Sequence, residues 1–135
     1  MNKSLRPIGD FFTSRGRSFL HAFHGLGYVV RTQHNAWIHA LASILVLVVA
    51  FWLRVSLLEW AVLFLTIAMV WTAEFINTAL EAVVDLASPG QHPLAKVGKD
   101  VGAAAVLIAA LASVLIGLLI LGPPLWQRLA VLVFH

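Results

Sequence analysis

Three long apolar runs constrain most strongly what this chain can fold into. They cover residues 36–53, 57–73 and 101–121 and contain a single charged residue, Glu59. A helix needs about 20 predominantly apolar residues to cross a bilayer. Of the whole chain, 61% is hydrophobic and only 11% is charged, which is far from the composition of soluble globular proteins. The sequence therefore predicts a small all-α integral membrane protein with three transmembrane helices.

Proline and glycine clusters mark the ends of two of the apolar runs. Ser88-Pro89-Gly90 ends the second helix and Gly122-Pro123-Pro124 ends the third, because both residue types interrupt a helical pattern. We treat the chain as a single membrane domain over residues 1–135. Its predicted segments are a basic tail over 1–16, an amphipathic helix over 17–32, transmembrane helices over 36–53, 57–86 and 97–121, and a C-terminal tail over 122–135.

The N-terminal region carries much of the positive charge. Between residues 17 and 32, the apolar side chains Phe19, Phe23, Leu26 and Val30 recur at helical spacing among basic residues. This pattern is typical of a helix that lies in the membrane interface. Short segments rich in Lys and Arg stay in the cytoplasm, and such residues concentrate before the first run and between the second and third. We therefore predict a multi-pass protein of the cytoplasmic (inner) membrane with a cytoplasmic N-terminus.

A polar stripe continues the second apolar run. It consists of Glu74, Asn77, Thr78, Glu81 and Asp85, which lie on one face of a helix. Ionisable groups at a membrane boundary are costly unless they meet a partner, a metal or a water-filled cavity. The stripe is therefore the candidate functional site, and the predicted orientation places it on the cytoplasmic side, where nucleotides are available.

The residue types around the stripe suit a ligand that carries phosphates. Glu74 and Glu81 are two helical turns apart, roughly 10 Å along the axis, so both can reach one ligand assembly. Carboxylates suit Mg²⁺, which binds through one or two of them together with phosphates and waters. Asn77 can orient a phosphate or a hydroxyl. Lys99 adds a cation and Asp100 a further carboxylate, so the set offers the positioning and charge neutralisation that phosphoryl transfer requires.

Two other interpretations of these residues stay open. The carboxylates and Lys99 would also fit a structural network of ion pairs between helices. A small ion carrier would use Glu74, Glu81 and Asp85 as an intramembrane path. Such a path needs ionisable groups through the depth of the bilayer, whereas these cluster at one end of a helix.

The polar block resembles the signature of the prokaryotic diacylglycerol kinase family. Residues 74–85, EFINTALEAVVD, match the pattern E-x-x-N-S/T-A-x-E-x-x-x-D. Lys99-Asp100 with residues 102–106 is similar to the second block of the family, K-D-x-G/A-S/A-G/A-A-V. The stretch 18–39 and the loop 88–96 resemble the undecaprenol-kinase-like branch of that family. Together the resemblance covers residues 17–121.

The resemblance implies a homotrimer with sites shared between subunits, each with three transmembrane helices and an N-terminal amphipathic helix. It implies that ATP, with Mg²⁺, phosphorylates the primary hydroxyl of a membrane lipid, diacylglycerol or undecaprenol, at the cytoplasmic interface. By motif position, Glu74 is the general base. Glu81 binds Mg²⁺ and the nucleotide phosphates, and Asn77 positions the reacting groups. Lys99 and Asp100 hold the nucleotide. We expect no nucleic-acid partner.

One position departs from the family pattern. Many members carry a metal-ligating glutamate just before the first span, where this chain has Gln33. A neutral amide still offers a carbonyl oxygen, but it lowers the negative charge of the site by one, so we predict that Gln33 is a weaker metal ligand. Thr78 and Asp85 complete the block in supporting roles. Gln33 also motivates one alternative, a non-catalytic lipid-binding or assembly homologue.

Overall fold

The computed structural model describes residues 8–90 and 92–134, with side chains over 15–90 and 92–131. Over these residues the chain is helical and has no strand. Its four helices are α1 (Ile8–Thr32), α2 (His34–Leu53), α3 (Leu57–Ala87) and α4 (Pro93–Phe134). By length and composition, α2, α3 and α4 are able to cross a membrane. The predicted all-α architecture with three spans is confirmed, whereas the amphipathic role of the N-terminal helix and the trimer stay predictions.

The α1 helix belongs to the first of two compact units, residues 1–34. It begins at Ile8 rather than at residue 17, so residues 8–16 are helical where a basic tail was predicted. The apolar spacing explains the difference, because Ile8 and Phe12 continue the helical repeat of Phe19 and Phe23. The two phenylalanines at positions 19 and 23 are both 68% exposed. Residues 1–7 of the predicted tail lie outside the described residues.

A tight turn joins α2 to α3 in the second unit, residues 35–135. Arg54 closes α2 in the left-handed region, at φ 56°, and its N–H donates to the carbonyl of Phe51 at 3.2 Å. Ser56 then caps α3: its Oγ accepts from the Glu59 N–H at 3.3 Å, and Glu59 Oε2 accepts from the Ser56 N–H at 2.6 Å. Glu59 is thus a capping residue at the end of α3 opposite the polar stripe.

The α4 helix begins at Pro93, earlier than the predicted residue 97. Proline suits the first position of a helix, where its missing N–H would have had no partner. The ring Nδ1 of His92 accepts from the Leu94 N–H at 3.2 Å, and the His92 carbonyl accepts from the Lys96 N–H at 3.1 Å. These bonds set the start of the helix, so Lys96 and Lys99 project from its first two turns.

The prediction that α4 ends at Gly122-Pro123-Pro124 is wrong. Both prolines lie inside the helix, which runs on to Phe134 and includes most of the predicted C-terminal tail. A proline removes one backbone hydrogen bond. In an apolar segment, however, ending the helix would leave further N–H and C=O groups without water to bond, so continuing the helix satisfies more of the backbone.

Small and apolar residues bring α4 close to α3, the most extensively packed pair of helices in this unit. Gly102, Val106 and Ala109 recur at helical spacing on α4 and are buried. One turn further along, Ser113 Oγ donates to the backbone carbonyl of Thr66 at 3.3 Å. Small side chains allow such close approach of membrane helices. The contact sets the polar stripe of α3 beside the first turns of α4.

A buried apolar cluster holds the opposite end of the bundle. It is formed by Ala50, Leu53, Leu63 and Leu121, with Trp60 and Leu125 among the partly buried side chains packed against it. Leu63 is 1% exposed and lies 11 residues before Glu74 on α3, which is about 16 Å along the helix. The buried apolar cluster and the polar stripe therefore lie at different levels along the bundle.

Candidate active site

Burial of the polar stripe falls along α3 toward the loop. Glu74, Asn77 and Thr78 are buried at 1%, 7% and 4% exposure. Glu81 is half-buried and Asp85 is exposed. The stripe thus runs from an enclosed carboxylate to an open, charged end.

The enclosed carboxylate faces a histidine of α2. Glu74 Oε2 lies 3.7 Å from His39 Nε2, and the two side chains are 1% and 14% exposed. The distance is too long for a hydrogen bond. Neither atom has a hydrogen-bond partner among the described residues. Buried polar atoms without partners are rare in folded proteins, and a partner such as a water, an ion or a substrate group would satisfy these two.

Asn77 and Glu81 form a second polar pair one turn along α3. Asn77 Nδ2 donates to Glu81 Oε1 at 3.2 Å, which orients the amide. The other end of the amide, Oδ1, is buried without a hydrogen-bond partner within the described ranges. It lies against Gly102 of α4, where any Cβ would collide with it. Position 102 therefore has room for a side chain only if the Asn77 amide moves.

Ion pairs occupy the open end of the stripe. Lys99 Nζ of α4 lies 2.5 Å from Asp85 Oδ1 of α3, and Lys96 Nζ lies 2.5 Å from Asp100 Oδ2 one turn along α4. The structural interpretation of these charges is therefore correct in part, since one pair links two helices. Glu74 takes part in neither pair. The pairs are substantially exposed, so each contributes little to stability, about 0–1 kcal/mol.

The other two predicted site residues, Thr78 and Gln33, take part in different local hydrogen bonds. Thr78 Oγ1 donates to the backbone carbonyl of Glu74 at 2.9 Å, so its hydroxyl is satisfied within α3. Its supporting role in the site stays a prediction. Gln33 stands at the junction of α1 and α2, where its backbone N–H donates to the Val29 carbonyl at 2.9 Å. Its role as a metal ligand stays a prediction.

Two open grooves flank the stripe. The first has a volume of 440 Å³, runs between α3 and α4, and is lined by apolar side chains such as Leu65, Met69 and Ile76 before it reaches Asn77 and Gly102. The second has a volume of 650 Å³ and is lined by Asp85, His92, Lys96 and Lys99 together with the loop. The apolar groove suits an acyl or prenyl chain and the charged groove suits phosphates.

The donor atoms beside the stripe fit a hard, oxygen-binding cation such as Mg²⁺. Within the described residues no group of three or more His, Cys, Asp or Glu side chains is placed to hold a metal ion. Mg²⁺ does not need such a group, because it keeps several waters and completes its shell with substrate phosphates. The Glu81 carboxylate and the unpartnered Asn77 Oδ1 are the oxygen donors that suit it.

The sequence interpretation missed two contributors to this geometry. His39 was not assigned to the site, yet its neighbour is Glu74, whose carboxylate was assigned the central role. Gly102 was given only as part of the second family block, without a contact to the stripe. In the sequence, the second block that resembles the family pattern, which contains Lys99 and Gly102, was the feature that indicated a contact between the start of α4 and the stripe.

Comparisons with known proteins match most of the chain. The family model described as prokaryotic diacylglycerol kinase matches residues 20–121. The chain is 43% identical over 109 residues to the undecaprenol kinase of Bacillus subtilis (strain 168), covering 81% of this chain and 89% of that protein. It is 46% identical over 110 residues to the diacylglycerol kinase of Synechocystis sp., covering 80% of this chain and 62% of that protein. With the diacylglycerol kinase of Escherichia coli (strain K12) it shares 34% identity over 104 residues, covering 72% of this chain and 85% of that protein.

Proposed function

The chain belongs to the prokaryotic diacylglycerol kinase family of membrane lipid kinases, and from that premise we propose that it transfers the γ-phosphate of ATP to the primary hydroxyl of a membrane lipid alcohol. The observation that carries the proposal is the buried Glu74 carboxylate, which has an unpartnered oxygen next to the Asn77–Glu81 pair. A carboxylate in that position can serve as a general base.

In the proposed reaction Glu74 accepts the proton of the lipid hydroxyl. The lipid oxygen forms a bond to the γ-phosphorus while the bond between that phosphorus and the β,γ-bridging oxygen breaks. The products are the lipid phosphate and ADP, and Glu74 later releases its proton to water. Asn77, fixed by Glu81 and Gly102, positions the reacting groups between the apolar groove and the charged groove.

Lys99, at the charged groove, and Asp100, the next residue of α4, would hold the nucleotide. Lys99 now pairs with Asp85 through an exposed contact that is weak enough to be exchanged for a phosphate. Asp100, which now pairs with Lys96, would act as an acceptor for hydrogen bonds or as a carboxylate near the metal. Glu81 and Asn77 would hold Mg²⁺, and the family resemblance predicts Gln33 as a further, weaker ligand. When bound, this ion neutralises charge on the phosphates.

We propose that the protein lies in the cytoplasmic membrane with the stripe on the cytoplasmic side. The distribution of Lys and Arg supports this orientation. We also propose a homotrimer with sites shared between subunits. Large apolar side chains on all three spanning helices are exposed in the single chain, for example Phe51 at 78%, Leu65 at 70% and Leu119 at 76%. They are available for lipid or for further copies of the chain.

The test is transfer of ³²P from [γ-³²P]ATP by the purified protein in mixed micelles with Mg²⁺. Diacylglycerol and undecaprenol are offered separately, because the sequence identities to relatives with these two names are similar. A reaction without added lipid measures release of free phosphate. We expect label in at least one lipid phosphate and little free phosphate.

The same assay separates the two alternatives. A non-catalytic homologue would bind lipid but label neither alcohol. An ion carrier would label neither and would change the ion permeability of vesicles. The carrier is disfavoured by the apolar part of α3, where the only charged residue over 57–73 is Glu59 and this residue caps the helix.

A further inference from the structure

We propose that His39 is a positioning residue for Glu74: its Nε2 holds the buried carboxylate in the orientation and the anionic form that proton abstraction requires. This inference rests on the proposed function and assigns a role to a residue of α2 outside both sequence blocks of the family signature. It deepens the account of the site, because none of the stripe residues explains how a carboxylate that is 1% exposed remains an available base.

Enclosing the Glu74 carboxylate carries a cost that His39 is placed to offset. An isolated carboxylate in an apolar surrounding is strongly disfavoured unless a donor or cation stands beside it. Lys99 and Lys96 are engaged with Asp85 and Asp100, farther along the bundle. His39 Nε2 lies 3.7 Å from Glu74 Oε2, and both atoms lack hydrogen-bond partners among the described residues. Each is therefore the natural partner of the other.

The distance between His39 Nε2 and Glu74 Oε2 is short enough to close. A small side-chain rotation brings the two atoms within hydrogen-bond reach, and catalytic hydrogen bonds are often long before substrates bind. The Nε2 atom donates both in the imidazolium and in the neutral tautomer that carries the proton there. The role therefore does not depend on one protonation state of His39.

Hydrogen bonds near the pair link α2 to α3. Ser43, one turn along α2, donates its hydroxyl to the His39 carbonyl at 2.7 Å. The same hydroxyl accepts from Trp71 Nε1 of α3 at 3.3 Å. Trp71 precedes Glu74 by three residues, so it lies about one turn away on the same helix. This bridge fixes the register of α2 against α3 at the level where His39 meets Glu74.

The closing experiment compares His39→Gln with His39→Asn in the full-length protein. The amide nitrogen of Gln reaches about as far as histidine Nε2, whereas that of Asn reaches only as far as Nδ1. The two variants therefore match in polarity and differ in whether a donor reaches Glu74. Values of kcat and of KM for ATP are measured in the lipid-labelling assay, and thermal unfolding is recorded for each variant.

We expect His39→Asn to lower kcat by about 10- to 100-fold, the effect of losing one hydrogen bond to a charged group, with an unchanged KM for ATP. His39→Gln should keep kcat within a few-fold of the wild type. The inference is overturned if His39→Asn keeps the wild-type kcat. It is also overturned if His39→Gln loses as much as His39→Asn, because the effect would then be one of packing.

A second measurement keeps this inference distinct from the proposed function. If the wild-type protein labels no lipid alcohol, the proposed function fails whatever the variants do. The contact is then tested by ¹⁵N NMR of histidine-labelled protein, with the His39 signal assigned by its loss in His39→Gln. A shift of the His39 Nε2 resonance on Glu74→Gln supports the contact, and an unmoved resonance overturns it.

Discussion

Asn77 Oδ1 of α3 lies directly against the backbone of Gly102 of α4, so closely that a side chain at position 102 would collide with it. This relationship joins the two sequence blocks that define the candidate site. The absent side chain at position 102 lets the helices approach, and the close approach fixes the amide that bonds to Glu81. Position 102 thus couples helix packing to the proposed chemistry.

Gly102→Val should lower kcat/KM for ATP by between about 10- and 100-fold. The branched side chain displaces the Asn77 amide, and small misplacements of positioning groups have effects of this size. Alanine, which the family pattern admits at this position, should cost less. The relevant measurement is steady-state lipid phosphorylation with varied ATP. Gly117→Val is the matched control on the same helix, because nothing lies within 4 Å of a Cβ built there. Equal activity of the two variants would contradict the proposed coupling.

A charge reversal at the open end separates nucleotide binding from structural pairing. Lys99→Asp should reduce activity by about 100-fold or more, since it replaces a phosphate-binding cation with an anion. The double variant Lys99→Asp with Asp85→Lys restores the ion pair with its direction reversed. We expect it to unfold at the wild-type temperature and to remain inactive. Wild-type activity in the double variant would show that Lys99 serves only to pair with Asp85.

Gln33→Glu should strengthen Mg²⁺ binding. The added carboxylate raises the negative charge of the predicted metal site, and about 1.4 kcal/mol of extra attraction corresponds to a tenfold change in affinity. We therefore expect the Mg²⁺ concentration for half-maximal activity to fall by roughly tenfold. Gln127→Glu, at an exposed position of α4, is the control for the same substitution. An unchanged Mg²⁺ requirement in Gln33→Glu would remove Gln33 from the metal site.

Leu63→Ala should destabilise the bundle without altering the site. Leu63 is 1% exposed in the apolar cluster, and truncation of a buried leucine costs about 2–5 kcal/mol. Thermal unfolding in detergent micelles should show a clearly lower midpoint, while the KM for ATP at a permissive temperature stays at its wild-type value. Leu57→Ala is the control, because Leu57 is 88% exposed in the chain. If Leu57→Ala lowered the unfolding midpoint as much as Leu63→Ala, the apolar cluster would not be what stabilises this end of the bundle.

Elements with a strong local signal could be predicted from the sequence. The apolar runs gave α2 and α3 nearly correct bounds, His34–Leu53 and Leu57–Ala87 against 36–53 and 57–86. Their limits coincide with abrupt changes in polarity and with the Ser56 cap. The predicted ends of α4 were wrong because proline occurs both at the start of helices and inside them. Pro93 begins α4, whereas Pro123 lies inside it. Only the surroundings of each proline decide between these roles.

The contacts of the site depended on information that one sequence does not contain. Helical periodicity places Glu74 and Asn77 on one face, and the structure encloses both side chains. Which residues of other helices meet them depends on the register of α2 and α4 against α3. That register is set by contacts such as Trp71 with Ser43, which are distant in sequence. For this reason His39 and Gly102 were not predicted as neighbours of the stripe.

The most direct test of the account is the rate of phosphate transfer by Glu74→Gln compared with Glu59→Gln. Both variants replace one carboxylate of α3 with an amide of the same size, and the amide at position 59 can still serve the helix cap. With the lipid alcohol that the wild type phosphorylates, we predict that Glu74→Gln loses about 100-fold or more in kcat and that Glu59→Gln keeps the wild-type rate. Wild-type turnover by a folded Glu74→Gln protein would contradict the assignment of Glu74 as the general base.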